Sequence, residues 1–243
     1  QYGDKCKFPE EEVDKALEVG AKKAYDKLLS HIKEGKDGDK LLDRDDLIRL
    51  ANSARQFLWD FGYIYGSDKE VDEALKVGAT NVFNELLSRI REGKDIVKLR
   101  SYIFHAEMLA DLVDKHNILA AYEEVKKAIN AGVNNACKEV KDRIQKGDIN
   151  AHTIICFEKL VNEYSDQLTR SQAEVEQILK DGVICAYNSC LPHINDDFRF
   201  YEDCMKLFER YGEKYGLQTP KLTTEKANAY VKMYNWIRFK YFR

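Results

Sequence analysis

The chain has 243 residues with 3 Pro and 13 Gly, 44% hydrophobic and 33% charged, the profile of a helix-rich globular protein able to fold without metal or disulfide support. Its 39 basic and 42 acidic side chains nearly cancel, which excludes the one-sided basic field of a nucleic-acid binder. No apolar run approaches the length of a membrane span.

The first predicted element ends at Ile32. From Glu12 onward, Val13, Ala16, Leu17, Gly20, Ala21, Ala24, Tyr25, Leu28, Leu29 and Ile32 recur at spacings of mostly three and one, a broad stripe along an amphipathic helix. The segment returns without a gap at Glu70 to Ile90, Glu124 to Ile144 and Glu174 to Ile194. Each copy sets a Glu-Val pair eight positions before a Gly and closes on a basic residue or His followed by Ile. Such recurrence marks an internal repeat. Two copies open on Ser-x-x-Glu, at Ser67 to Glu70 and Ser171 to Glu174, where hydroxyl and carboxylate reciprocally satisfy first-turn N–H groups.

A polar break follows each first helix, carrying Gly35, Gly93 or Gly147, or Asn195-Asp196-Asp197 in the last copy. The acidic run from Asp37 to Asp46 is a solvated turn with an Asp cap, because Leu41 stands where a calcium loop needs its third alternating oxygen. A second helix then shows Leu47, Leu50, Ala51, Ala54, Phe57, Leu58 and Phe61 in the first copy, and Tyr201, Cys204, Leu207, Phe208, Tyr211 and Tyr215 in the fourth. Period-two alternation is absent. The reading is a single all-α domain of four stacked helical hairpins, a repeat of about 54 residues. The copies fall roughly at 9–66, 67–119, 120–170 and 171–216, with a terminal helix over 223–243. A mid-helix Gly costs about 1 kcal/mol, so Gly20, Gly78, Gly132 and Gly182 are expected at equivalent close helix crossings.

Six cysteines follow the same geometry. Folding copy three about Gly147 opposes Cys137 to Cys156, and folding copy four about Asp197 opposes Cys190 to Cys204. Both pairs are expected as disulfides, with Cys6 and Cys185 as the third. Disulfides imply an oxidising compartment, and a chain opening on Gln1 without an initiator Met reads as a product of signal cleavage. Secretion would proceed without N-glycosylation, since no Asn-x-Ser/Thr sequon is present.

Catalytic signals run out. None of His31, His105, His116, His152 and His193 has zinc-helix spacing, Cys-x-x-Cys pairs are missing, and there is no phosphate loop or nucleophile elbow. His31 and His193 share one repeat position, where a basic group favours the helix C-terminus. No cofactor, metal or catalytic residue is assigned, and an enzyme is not expected.

Two aromatic concentrations remain. Phe57, Trp59, Phe61, Tyr63 and Tyr65 end the first hairpin, and Tyr230, Tyr234, Trp236, Phe239, Tyr241 and Phe242 fill the terminal helix. Both read as packing, or as walls of a pocket for an apolar ligand. From Lys221 onward the tail carries six basic residues against Glu225, about +5 where the rest of the chain holds about −8. Lys226, Lys232, Arg238, Lys240 and Arg243 are therefore the candidate partner-binding residues. The general character of the chain resembles small secreted proteins of insect or parasite origin, including salivary ones, which implies a host-interaction role. The expected function is a secreted, non-enzymatic binding protein that recognises a protein or polysaccharide partner. The alternative is a carrier of a small hydrophobic ligand between the hairpins.

Overall fold

The computed structural model describes residues 10–38, 40–62, 64–113 and 118–241, and the side chains of all of these but 10, 13 and 233–241. The described residues are all-α. In chain order they form α1 (Glu10–Glu34), α2 (Arg44–Asp60), α3 (Asp68–Glu92), α4 (Ile96–Val113), α5 (Ile118–Lys146), α6 (Ala151–Glu163), α7 (Gln172–Cys190), α8 (Phe198–Tyr215) and α9 (Thr224–Tyr241). Against the expectation of no strands, Lys36–Asp37 (β1) and Lys40–Leu41 (β2) pair as a two-residue ladder in the turn between α1 and α2. Gly38 at φ +60° turns this ladder.

Local chemistry sets the helix boundaries. Asp43 caps α2 through the Asp46 N–H at 2.8 Å, and Asn150 caps α6 through the Thr153 N–H at 2.9 Å. Both expected capping boxes form. The Ser67 N–H donates to Glu70 at 3.0 Å and the Glu70 N–H to Ser67 Oγ at 3.4 Å, and Ser171 and Glu174 do the same at 3.0 and 3.2 Å.

The chain divides into two compact units, Gln1–Ser88 with Ser101–Lys127, and Arg89–Arg100 with Ala128–Arg243. In the first unit Tyr25, Leu29 and Ile32 of α1, Ala51, Ala54 and Leu58 of α2, and Val71 and Ala74 of α3 make one buried cluster. In the second unit α6, α7 and α8 pack together, burying Ile154, Phe157, Leu160, Val183, Ala186 and Leu207. Arg210 of α8 donates to Glu158 of α6 at 2.6 Å, and Tyr215 of α8 to Glu176 of α7 at 2.7 Å.

The repeat glycines divide. A Cβ on Gly78 would collide with the carbonyl oxygen of Ile32, and one on Gly132 with that of Ile90. In each case the Gly meets the Ile that closes the preceding copy. Three residues on, Asn81 donates to the Lys33 carbonyl at 2.8 Å and Asn135 to the Arg91 carbonyl at 2.7 Å. The same contact thus occurs once in each unit, and its asparagines hold carbonyls a helix end leaves unpaired. Gly182 is also tight, but against the side chain of Ile154. Gly20 departs from the expectation: a Cβ there meets nothing within 4 Å, and the residue is exposed. The crossing requires the end of a preceding first helix, and none precedes α1 among the described residues.

Candidate functional site

The cysteine expectations need correction. Cys137, Cys156, Cys185, Cys190 and Cys204 are all free, and Cys6 lies outside the described residues, so the Cys6 to Cys185 bridge does too. Cys137 is fully buried on α5, and burial pushes its thiol up to about 11. Cys156 stands beside the core stripe of α6, half-exposed, with its sulfur 3.8 Å from His152 Nε2. Counting residues from the turn matched their heights but not their facing. Cys185 points its thiol at the Ile144 carbonyl, 3.8 Å away.

Cys190 and Cys204 do meet. Cys190 donates to the Ala186 carbonyl at 2.8 Å and Cys204 points to the Tyr187 carbonyl at 3.8 Å, which brings the two thiols near each other between α7 and α8. The neighbouring Cys190 thiol, together with burial, holds the Cys204 thiol far above its ordinary range. Tyr187, which donates to the Gln218 carbonyl beside them, is pushed up to about 12, by burial first and the neighbouring thiols second.

The aromatic end of the first hairpin is a built corner. Tyr25 of α1 stacks on Phe57 of α2 at 6.0 Å between centroids, Phe57 on Phe61 at 4.6 Å, and Phe61 meets Tyr65 edge-on at 5.6 Å. Gly66 carries the chain across the Tyr25 ring, where a Cβ would come within 2.5 Å of Cε1. Tyr63 lies outside the described residues. Since Phe57 and Phe61 share one face of α2, Trp59 between them must point away, and it is 71% exposed. Ile64 is 72% exposed in the turn that follows. The corner therefore shows large apolar side chains to solvent on a rigid aromatic base.

The tail gives a partial answer. Thr223 Oγ1 accepts from the Lys226 N–H at 3.4 Å, opening α9, and Tyr230 donates to the Ile194 carbonyl at 3.1 Å while lying edge-on to Phe198 at 4.9 Å. Lys232 is exposed and Lys226 half-buried. The side chains of Arg238 and Lys240, and Arg243 entirely, lie outside the described residues. Of the two shared-position histidines, His193 pairs with Asp196 at 3.2 Å, while His31 Nε2 is buried without a hydrogen-bond partner.

Among the described residues no group of three or more His, Cys, Asp or Glu is placed to hold a metal ion, and no helix is long and apolar enough to cross a membrane. One cleft, about 650 Å³, is lined by Leu191, Ile194, Asn195, Leu217, Gln218, Thr219 and Lys221. Another lies along α2 over Asp45, Ile48, Arg49, Asn52, Ser53 and Gln56. The sequence reading missed Asn81 and Asn135, although each stands three residues after a repeat Gly, a shared position that was the available signal. The chain matches no protein-family model, and neither a curated protein nor a solved structure is significantly similar to it.

Proposed function

We propose that this is a secreted, non-enzymatic binding protein that recognises a macromolecular partner through an exposed helical surface centred on the aromatic corner. The observation that carries this reading is the solvent exposure of Trp59 and Ile64 beside a stack fixed by Tyr25, Phe57, Phe61 and Tyr65. Binding hot spots favour rigid aromatic side chains that lose little entropy on contact. The carrier alternative has less behind it, since neither described cleft is walled by the aromatic side chains expected around an apolar ligand. Lys226 and Lys232, with the rest of the basic tail, are a second contact zone of the same proposal.

Non-denaturing mass spectrometry of the protein from its native source tests the class of ligand. A bound partner chain supports the reading, and a stoichiometric small adduct supports the carrier. Trp59→Ala with Ile64→Ser is expected to weaken partner binding at least tenfold while leaving the melting temperature nearly unchanged, since neither side chain is buried. Arg238→Gln, Lys240→Gln and Arg243→Gln together report on the tail through the salt dependence of the same binding. Unchanged binding in both variants places the interaction elsewhere.

Secretion also has a chemical consequence. Cys190 and Cys204 are the pair whose thiols lie near each other, so oxidation in that compartment is expected to join these two and leave Cys137 and Cys156 unpaired. Peptide mapping of the native protein under non-reducing conditions is expected to recover the α7 and α8 peptides linked. Alkylation of both thiols without prior reduction would refute the assignment of compartment.

A further inference from the structure

One helix face is uncovered where its sequence equivalents are buried. In α3 the positions Val71, Ala74, Ala79 and Val82 are buried around Gly78, and in α5 Val125, Ala128, Val133 and Ala136 are buried around Gly132. In α1 the matching Ala16, Gly20 and Ala24 are exposed and Ala21 is half-buried, Leu17 is 65% exposed, and the space over Gly20 is open. No first helix precedes α1 among the described residues, so no helix end seats on Gly20 as Ile32 does on Gly78 and Ile90 on Gly132.

The charge on α1 is divided along the helix. Glu10, Glu11, Glu12, Asp14 and Glu18 stand against Lys15 in the half before Gly20, and Lys22, Lys23, Lys27 and Lys33 against Asp26 and Glu34 in the half after it. Lys23 and Lys27 border the open face one and two turns beyond Gly20, and Glu12 borders it two turns before. A second α1 crossing antiparallel at Gly20 would set Ala16 opposite Ala24 and bring each acidic half beside a basic half. A parallel crossing would set like charge on like.

We propose that two copies of this chain associate through α1, their helices antiparallel and crossing at Gly20 about a two-fold axis. The interface is isologous, as closed dimers require. Leu17 of each copy is covered by the other, and the stems of Lys23 lie over it. Backbone approach at Gly20 supplies dispersion contact, and the paired halves fix the direction. The inference is independent of the aromatic corner, whose Trp59 and Ile64 lie outside this face.

Charge reversal tests it. Glu11→Lys, Glu12→Lys and Asp14→Lys together give both halves of α1 a net basic charge, and Lys22→Glu, Lys23→Glu and Lys27→Glu together give both halves a net acidic one. By sedimentation velocity the wild type is expected to dimerise and to dissociate as salt is raised, since exposed charges are screened over about a Debye length. Each variant alone is expected to be monomeric at the concentration where the wild type is paired, with unchanged helicity, and a mixture of the two to form a 1:1 heterodimer. Leu17→Asp is expected to abolish association without lowering the melting temperature measured at a concentration where both chains are monomeric. Trp59→Ala with Ile64→Ser is expected to leave it intact. A wild type that remains monomeric at millimolar concentration overturns the proposal. So do variants that dimerise as the wild type does, or a mixture that fails to pair.

Discussion

Gly78→Ala and Gly132→Ala are each expected to destabilise the protein by about 2 kcal/mol or more, whereas Gly20→Ala is expected to stabilise it by up to about 1 kcal/mol. All three substitutions gain the same helix propensity, so the difference lies in what the new methyl meets. At Gly78 and Gly132 it meets a backbone carbonyl, that of Ile32 or Ile90, which no rotamer change can move. The end of the neighbouring helix must retreat instead, which strains the Asn81 to Lys33 or Asn135 to Arg91 hydrogen bond. At Gly20 the methyl enters open space. Gly182→Ala falls between them, within about 1 kcal/mol of neutral, because it meets Cδ1 of Ile154, the far end of a side chain that can turn. Urea denaturation of the four variants gives the order, measured at a concentration where the chain is monomeric so that association does not enter. Equal effects at Gly20 and Gly78 would show that the carbonyl contact does not exist.

That order also marks how far the sequence could be read. Helical periodicity, Ser-x-x-Glu boxes and Gly breaks are local signals, and they placed the helices and both capping boxes because each depends on residues within a few positions. The repeat pointed to four equivalent glycines, but equivalence in sequence does not supply a neighbour. Gly20 has the same flanking pattern as Gly78 and no helix end to receive. Cysteine pairing failed for a related reason. Counting from a turn matches heights along two helices, and this brought Cys190 and Cys204 near each other, although both are free. It says nothing of rotation, and Cys156 falls about 100° of helix rotation away from Phe157 on the core stripe of α6. The aromatic corner was visible as a cluster, yet only the cap at Phe61 and the reversal at Gly62, φ +64°, decide which rings stack and which face water.

Tyr25 joins the core of the first unit to that corner, and its two halves are expected to respond oppositely to mutation. The ring is 1% exposed, packed with Leu29, Ile32, Ala54 and Val71 in the buried cluster and stacked on Phe57. Tyr25→Ala removes that volume beneath Gly66, so a loss of about 3–5 kcal/mol is expected, as for other buried aromatic truncations. The hydroxyl contributes nothing comparable, because it is buried without a hydrogen-bond partner. Burial, and then the charges of Glu70, Asp68 and Asp26, raise its pKa. A buried polar group without a partner costs free energy that an apolar atom would not. Tyr25→Phe is therefore expected to hold or raise stability by about 1 kcal/mol, and to leave the stack and partner binding through Trp59 unchanged. Thermal melts of the two variants, with binding measured below both transitions, separate the roles. If Tyr25→Phe destabilises as Tyr25→Ala does, the hydroxyl holds the turn at Gly66, and the corner owes its shape to a polar contact rather than to ring packing.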